Sequence, residues 1–355
     1  MSSMSFADKR LLAICIVLAA AAGALDAHPL GKVIPFLVSA LALAALASLV
    51  GVAVDALGDK LGAGATGVIQ SALGNLPELF VCIFALRAGL DDVVRAAIVG
   101  SILSNVLLIL GLGFLVGGIK HGVQRFPAPT ARNLGLLMLL AVAGLMLPAL
   151  TDALHSPARG HELAFSRVVA GLLLLVFALS LPAALARSET SVPVEQDLDG
   201  HAREWSLGLS LAMLTVAGVG AAFVSDWFVV ALSPAIEVMH ISEAFAGLVI
   251  VAIASNAVEN VVGIQLAAKN NMDYAISVIL QSPIQIALVL APVLVLVAPL
   301  VGASFTLVLS PLLIAVLAIA VVVTVVVVFD GESTWLEGVA LVALYGICAT
   351  AFFWG

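Results

Sequence analysis

Charge is what this chain has least of. Of its 355 residues only 10% are Asp, Glu, Lys or Arg, while 63% are hydrophobic. A soluble domain carries about a quarter charged residues, so a water-soluble fold is excluded and a membrane protein is indicated before any motif is read. No basic stripe runs along the sequence, whose formal net charge is −8, and this argues against a nucleic-acid partner. Cysteine is also scarce. Cys15, Cys82 and Cys348 lie far apart in apolar runs and read as small hydrophobes, so neither a disulfide framework nor a metal–thiolate site is expected. The six histidines (His28, His121, His155, His161, His201 and His240) fall in loops or near span ends without metal-ligand spacing. No nucleophile–base pair or phosphate-binding loop stands out. An enzyme is therefore not expected, nor a bound cofactor.

What the chain has in quantity is long apolar runs. A spanning helix needs roughly 20 apolar residues, and the runs predict an all-α membrane protein of about eleven transmembrane helices. The expected spans are 11–28, 33–54, 65–86, 93–118, 132–150, 163–186, 205–231, 244–268, 274–300, 303–329 and 335–354. Lys9-Arg10 followed by an apolar run to Ala27 also fits a cleaved signal peptide; the reading favoured here retains it as a helix. Alternating loops place Lys9, Arg10, Lys60, Lys120, Arg125, Arg132, Arg187, Arg203 and Lys269 on one side of the membrane. Lys32, Arg87, Arg95, Arg159 and Arg167 fall on the other. The positive-inside rule then puts the N-terminus in the cytoplasm and the C-terminus outside, in what is expected to be a prokaryotic inner (plasma) membrane. The polar, acidic stretch "ARSETSVPVEQDLDGHAREW" marks the one shift in composition. The expected organisation is an N-terminal helix over 1–32, a five-helix repeat over 33–186, an acidic cytoplasmic linker over 187–204 and a second five-helix repeat over 205–355.

The repeat is legible at a constant offset of 181 residues. It takes Asn75 to Asn256, Glu78 to Glu259, Asp92 to Asp273 and Ser101 to Ser282 without a gap. Polar matches at one offset are hard to obtain by chance in lipid-facing sequence. The two Asn-x-x-Glu copies sit on spans three and eight. Five is odd, so the copies cross the bilayer in opposite directions, the inverted-topology architecture of secondary transporters, whose sites lie near the midplane.

Glu78 and Glu259 are the acids placed deepest among 22. A carboxylate at membrane depth costs several kcal/mol, so it needs a cation, a proton or a water-filled cavity. Residues three apart share a helix face, so Asn75 points with Glu78 and Asn256 with Glu259. Each pair is an all-oxygen half-site for a hard cation. Two halves suit Ca²⁺, with its six to eight oxygen ligands, better than the octahedral Mg²⁺; Mn²⁺ stays open. Gly74 and Pro77 are expected to break span three at the motif. In the second copy Pro283, which has no amide donor, is expected to free a carbonyl one turn earlier in the following helix. Ser101 with Ser104, and Ser282 with Gln285, again stand three apart and are candidate ligands. Close carboxylates favour a shared proton, whereas a divalent cation favours their ionised forms, so cation and proton would compete.

These residues resemble the cation/proton exchanger (Ca²⁺/H⁺ antiporter) branch of the calcium/cation antiporter superfamily. "GNLPEL" (74–79) is similar to its first motif, Gly-Asn-Ala-x-Glu-Leu, and "SNAVEN" (255–260) to its second, Gly-Asn-Ala-Ala-Glu-His. The resemblance implies that Glu78 and Glu259 bind cation or proton, with Asn75, Asn256, Ser101, Ser104, Ser282 and Gln285 completing the site. It implies Ca²⁺ as transported substrate moving against H⁺ by alternating access. Asn260, Ser255 and Gln281 stand where the family has His, Gly and Gly. The alternatives are a sodium-coupled Ca²⁺ exchanger, for which Ser/Thr-Pro-Glu/Asp signatures and more buried acids are expected, a passive cation channel, and a non-transporting scaffold. The expected partners are the two ions and the lipid bilayer; a homo-oligomer is compatible with the sequence, in which no oligomeric state is legible.

Overall fold

The computed structural model describes residues 4–61, 73–156, 159–188 and 205–354; the side chains of 58–61, 182–188 and 257–260 are likewise outside the description. The helices are α1 (Phe6–Ala27), α2 (Val33–Leu61), α3 (Leu76–Arg87), α4 (Asp91–His121), α5 (Ala128–Ala153) and α6 (Glu162–Ser188). After the linker come α7 (Leu207–Met239), α8 (Glu243–Ser255), α9 (Ala257–Ala268), α10 (Met272–Val301), α11 (Pro311–Val327) and α12 (Trp335–Ala351). Among the described residues seven helices are long and apolar enough to cross a membrane unaided. With α3, the broken pair α8–α9, α11 and α12, the described helices correspond in order to the eleven expected spans. The first eight residues expected of span three, and nearly all of the acidic linker, lie outside the described residues. The protein is an all-α integral membrane protein, and large apolar side chains such as Ile16, Val17, Phe223 and Val326 are exposed on helix faces, as lipid-facing positions are.

The repeat is written in the backbone as well as in the side chains. An offset of 181 carries the bounds of α3 onto those of α9, and the start of α4 onto the start of α10. It also carries a π-helical turn in α4, Ser104–Ile109, onto a π-helical turn in α10, Ile286–Leu290, to within one residue. Such wide turns are rare and concentrate at functional sites. Two of them at matched positions mark the same construction used twice.

The chain packs as two units. One comprises residues 1–88, 178–240 and 254–258; the other holds the remainder. Within the first, α2 lies against α7, with α1 and α3 beside them. There Trp205 donates to the buried Asp8 carboxylate at 3.0 Å, and Lys32 pairs with Glu237 at 3.2 Å. Within the second, α4 packs on α8 and α12, and α5 on α10 and α11. Its loop ties include Arg95 to the Thr306 carbonyl, Leu307 N–H to Ser166, and Ser242 to the Phe352 carbonyl. Others are Arg125 to Glu332, Arg132 to the Phe329 carbonyl, and Gln124 to Asn270. Each of these ties joins loops or span ends that span-counting assigns to one side, so the alternation read from sequence agrees with the packing inside each unit.

The structure departs from the expected elements at three places. Residues 303–310 are extended, not the start of a helix, and α11 begins at Pro311. A residue before proline avoids the α region, and Ser310 instead accepts the Leu313 N–H as an N-cap. Phe305, Leu307 and Leu309 are buried in alternation, a period of two that the apolar composition conceals. Pro283 lies inside α10, which runs through it without a break. The break in the second copy falls one helix earlier, at Asn256, between α8 and α9. A two-residue ribbon, β1 (Gln124–Arg125) paired antiparallel with β2 (Glu332–Ser333), was not foreseen.

The α4–α8 crossing depends on two glycines. A Cβ on Gly100 would stand 2.2 Å from the Leu248 carbonyl oxygen, and one on Gly247 would stand 2.4 Å from that of Val93. Both obstacles are backbone, so the helices would have to separate; small residues at such crossings are the usual device for close packing in lipid. Gly100→Ala and Gly247→Ala are each expected to destabilise the detergent-solubilised protein by about 1–3 kcal/mol, the usual effect of overpacking, measured as a fall in its thermal midpoint. An unchanged midpoint would refute the close crossing.

Candidate ion site

Glu78 sits in the first turn of α3, three residues after Asn75, which occupies the helix's N-cap position, with Pro77 inside the first turn. The turn at Gly74–Asn75 separates α3 from residue 73. An interrupted helix presents a new N-terminus at membrane depth, and its partial positive charge favours an anion in the first turn. The second copy repeats this construction with different residues. Asn256 forms the turn after Ser255, α9 starts at Ala257, and Glu259 is in its first turn. No glycine or proline is needed there, because asparagine's amide bonds elsewhere and tolerates leaving the helix.

In the first unit these elements converge. Glu78 is only 4% exposed. Asn256 Nδ2 donates to its Oε1 at 2.6 Å, and Ser255 Oγ donates to the same oxygen at 3.4 Å. Asn75 is buried beside them in sequence, and its Nδ2 finds no hydrogen-bond partner among the described residues. The amide from one repeat thus holds the carboxylate of the other, across 178 residues of sequence. The Glu259 backbone is placed in α9, and its side chain lies outside the description.

In the second unit a neutral polar group forms on α4 and α10. Ser101, Ser104, Asn105, Ser282 and Gln285 are all buried. Asn105 Nδ2 donates to the Ser101 carbonyl at 2.9 Å and to Ser282 Oγ at 3.3 Å, bridging the two register-matched serines. Because the Ser101 carbonyl can only accept, the amide orientation is fixed. Asn105 Oδ1 and Ser104 Oγ, both at the π turn, are buried without a partner among the described residues. Buried polar atoms are normally satisfied, and two adjacent unsatisfied oxygens suit a cation, a water or a proton donor. Asn105 was missed by the sequence reading. It has no repeat partner, since the offset leads to Ile286, and symmetry was the signal used. Its place directly after Ser104 in "GSILSN" was the available clue.

A family model for the sodium/calcium exchanger protein matches residues 32–185 and again 209–354. The Ca(2+)/H(+) antiporter ChaA of Bacillus subtilis is 34% identical over 324 residues, covering 90% of this chain and 91% of its own. A Ca(2+)/H(+) antiporter of a Synechocystis species is 32% identical over 349 residues, with 91% of each chain covered. The solved structure of native YfkE superposes with a TM-score of 0.80 at 29% identity, over 96% of this chain and 99% of that one.

The Asn256–Glu78 contact can be tested directly. Asn256→Leu keeps the size of the side chain and removes the donor. A hydrogen bond to a charged group contributes about 1.5–3 kcal/mol, so a loss of that order is expected in denaturation of the purified protein. A variant as stable as the parent would show that the contact does not hold the carboxylate.

Proposed function

The chain belongs to the sodium/calcium exchanger protein family, and from that premise we propose that it exchanges Ca²⁺ for H⁺ across its membrane. The observation that carries this reading is Glu78, a carboxylate buried in an apolar fold and held by the Asn256 amide of the opposite repeat. The relatives bearing the name Ca(2+)/H(+) antiporter, alike over nine-tenths of the chain, support the choice of ions.

The chemistry is competition. Glu78 and Glu259 bind the divalent ion as carboxylates, and its charge holds them ionised. When it leaves, burial favours the neutral acids, and protons take its place. Asn75, Asn256, Ser101, Ser104, Ser282 and Gln285 supply neutral oxygens, and Asn105 joins them. An oxygen-only set of this size suits Ca²⁺. With two deep acids, little remains to build separate Na⁺ sites, so proton coupling is favoured over sodium coupling. The bias of nine cationic residues against five in alternate loops supports a cytoplasmic N-terminus and export of Ca²⁺ from the cytosol through a prokaryotic inner membrane.

Purified protein in sealed proteoliposomes is expected to accumulate ⁴⁵Ca²⁺ under an imposed pH difference with no Na⁺ present, and to collapse that difference when Ca²⁺ is added. Glu78→Gln and Glu259→Gln, which keep shape and remove charge, should each abolish both fluxes. Uptake that requires Na⁺, or proceeds without proton counterflow, would overturn the proposal.

A further inference from the structure

The last carbonyls of an α-helix have no partner inside it, and those of α9 are met in an unusual way. Asn270 adopts the left-handed conformation at φ 63°. Its N–H donates to the Ala267 carbonyl at 3.1 Å, and that of Asn271 to the Leu266 carbonyl at 3.0 Å. This is the Schellman pattern of helix ends. Side chains from the α4 end and from β1 are added to it. Gln124 Nε2 donates to the Ala267 carbonyl at 3.0 Å and to Asn270 Oδ1 at 2.9 Å. His121 Nε2 lies 3.0 Å from the Ala268 carbonyl, which can only accept, so the ring nitrogen is the donor.

Gln124 is nearly fully buried for this purpose, and its Oε1 has no partner among the described residues. Turning the amide over would satisfy nothing, because it would set oxygen against the Ala267 carbonyl. The fold also makes room for it. A Cβ at position 117 would stand 1.8 Å from Gln124 Oε1, so Gly117 is required. The β1–β2 pairing, Gln124 opposite Ser333, fixes where the amide emerges.

Among the described residues, the matching helix in the first repeat has no such addition. The α3 end is closed by the Ala88 N–H, which bonds the Phe84 and Leu86 carbonyls. The residues 181 positions after His121 and Gln124 are Gly302 and Phe305, and neither side chain can donate. Among the described residues the reinforcement therefore falls on the helix that carries Glu259 in its first turn and follows directly on Asn256.

We propose that Gln124 and His121 are positioning residues for the ion site, acting through α9 by fixing its far end. An α-helix is stiff along its axis, and the eight steps from Glu259 to Ala267 rise about 12 Å at roughly 1.5 Å each. Slippage at the Ala267 end is thus passed to Glu259. The inference rests on the role given above to Glu259.

Three variants and one control test it. Gln124→Glu keeps the shape and sets an acceptor against two acceptors. Gln124→Ala removes the group. His121→Phe keeps a ring without a donor, and His121→Gln restores a donor. Amide hydrogen exchange in detergent is expected to quicken over residues 261–271 in the first three, with residues 76–87 unchanged, as local rather than global opening. In proteoliposomes those three should raise the KM for Ca²⁺ by roughly three- to tenfold, the scale of coupling through a packed element, with the maximal rate within about twofold. His121→Gln should match the parent in both readouts. Faster exchange with an unaltered KM would reduce the contacts to a helix cap, and unaltered exchange would remove the clamp altogether; either overturns the proposal. If Gln124 variants fail to fold, the exposed His121 pair separates the same outcomes. Should the parent protein carry no Ca²⁺/H⁺ exchange, the proposed function falls, while the hydrogen-exchange measurement still reads the clamp.

Discussion

A carboxylate cannot be left alone in a medium that does not solvate it, and most of what is distinctive here follows from that constraint on Glu78. Apolar surroundings raise the free energy of the charged form by several kcal/mol, so donors and dipoles have to be brought to it. The helix that carries it is broken just before it, which supplies an N-terminus. The chain then returns 178 residues later with an amide at 2.6 Å. Asn256 reaches Glu78 because it lies in a break of its own, where the turn frees its side chain from the helical ladder. The partner of Glu78 is thus an element of the other repeat.

The two copies reach the same backbone by different means. Gly74 and Pro77 open the first helix; Ser255 and Asn256 open the second. α3 and α9 nevertheless begin and end at positions related by one offset, and so do the starts of α4 and α10 and, to within one residue, their π turns. Backbone geometry has been kept while the residues that produce it have changed. The first turn after each break, where a carboxylate meets a helix dipole, is the feature held constant.

Much of this is legible in the amino-acid sequence. Helix number and order follow from apolar runs, since lipid admits few alternatives to a helix. Glu78, Asn75 and Asn256 stand out because polar residues are rare in such runs. The features that stay hidden have a common cause. Residues 303–310 are as apolar as a helix, and only the period-two burial of Phe305, Leu307 and Leu309 separates the two. Pro283 has the composition of a breaker, but a proline three residues before a π turn is absorbed by the ladder. Asn105 and Gln124 do not stand out because symmetry is what marks the other site residues, and neither of these has a counterpart in the opposite repeat.

Those unsymmetric residues have a significance of their own. In an exchanger built from inverted repeats, trading the conformations of the two halves converts a site open to one side into a site open to the other. If the halves were identical, both states would have equal free energy, and only the ions and the membrane potential could distinguish them. Any intrinsic preference must therefore come from positions where the repeats differ. Gly100 lies against the Leu248 backbone where its counterpart is Gln281. Asn105 bridges two serines where its counterpart is Ile286. His121 and Gln124 cap α9, and their counterparts are Gly302 and Phe305, whose side chains carry no donor. Positions of this kind are the ones at which exchanging the conformations of the two repeats would not restore the same contacts.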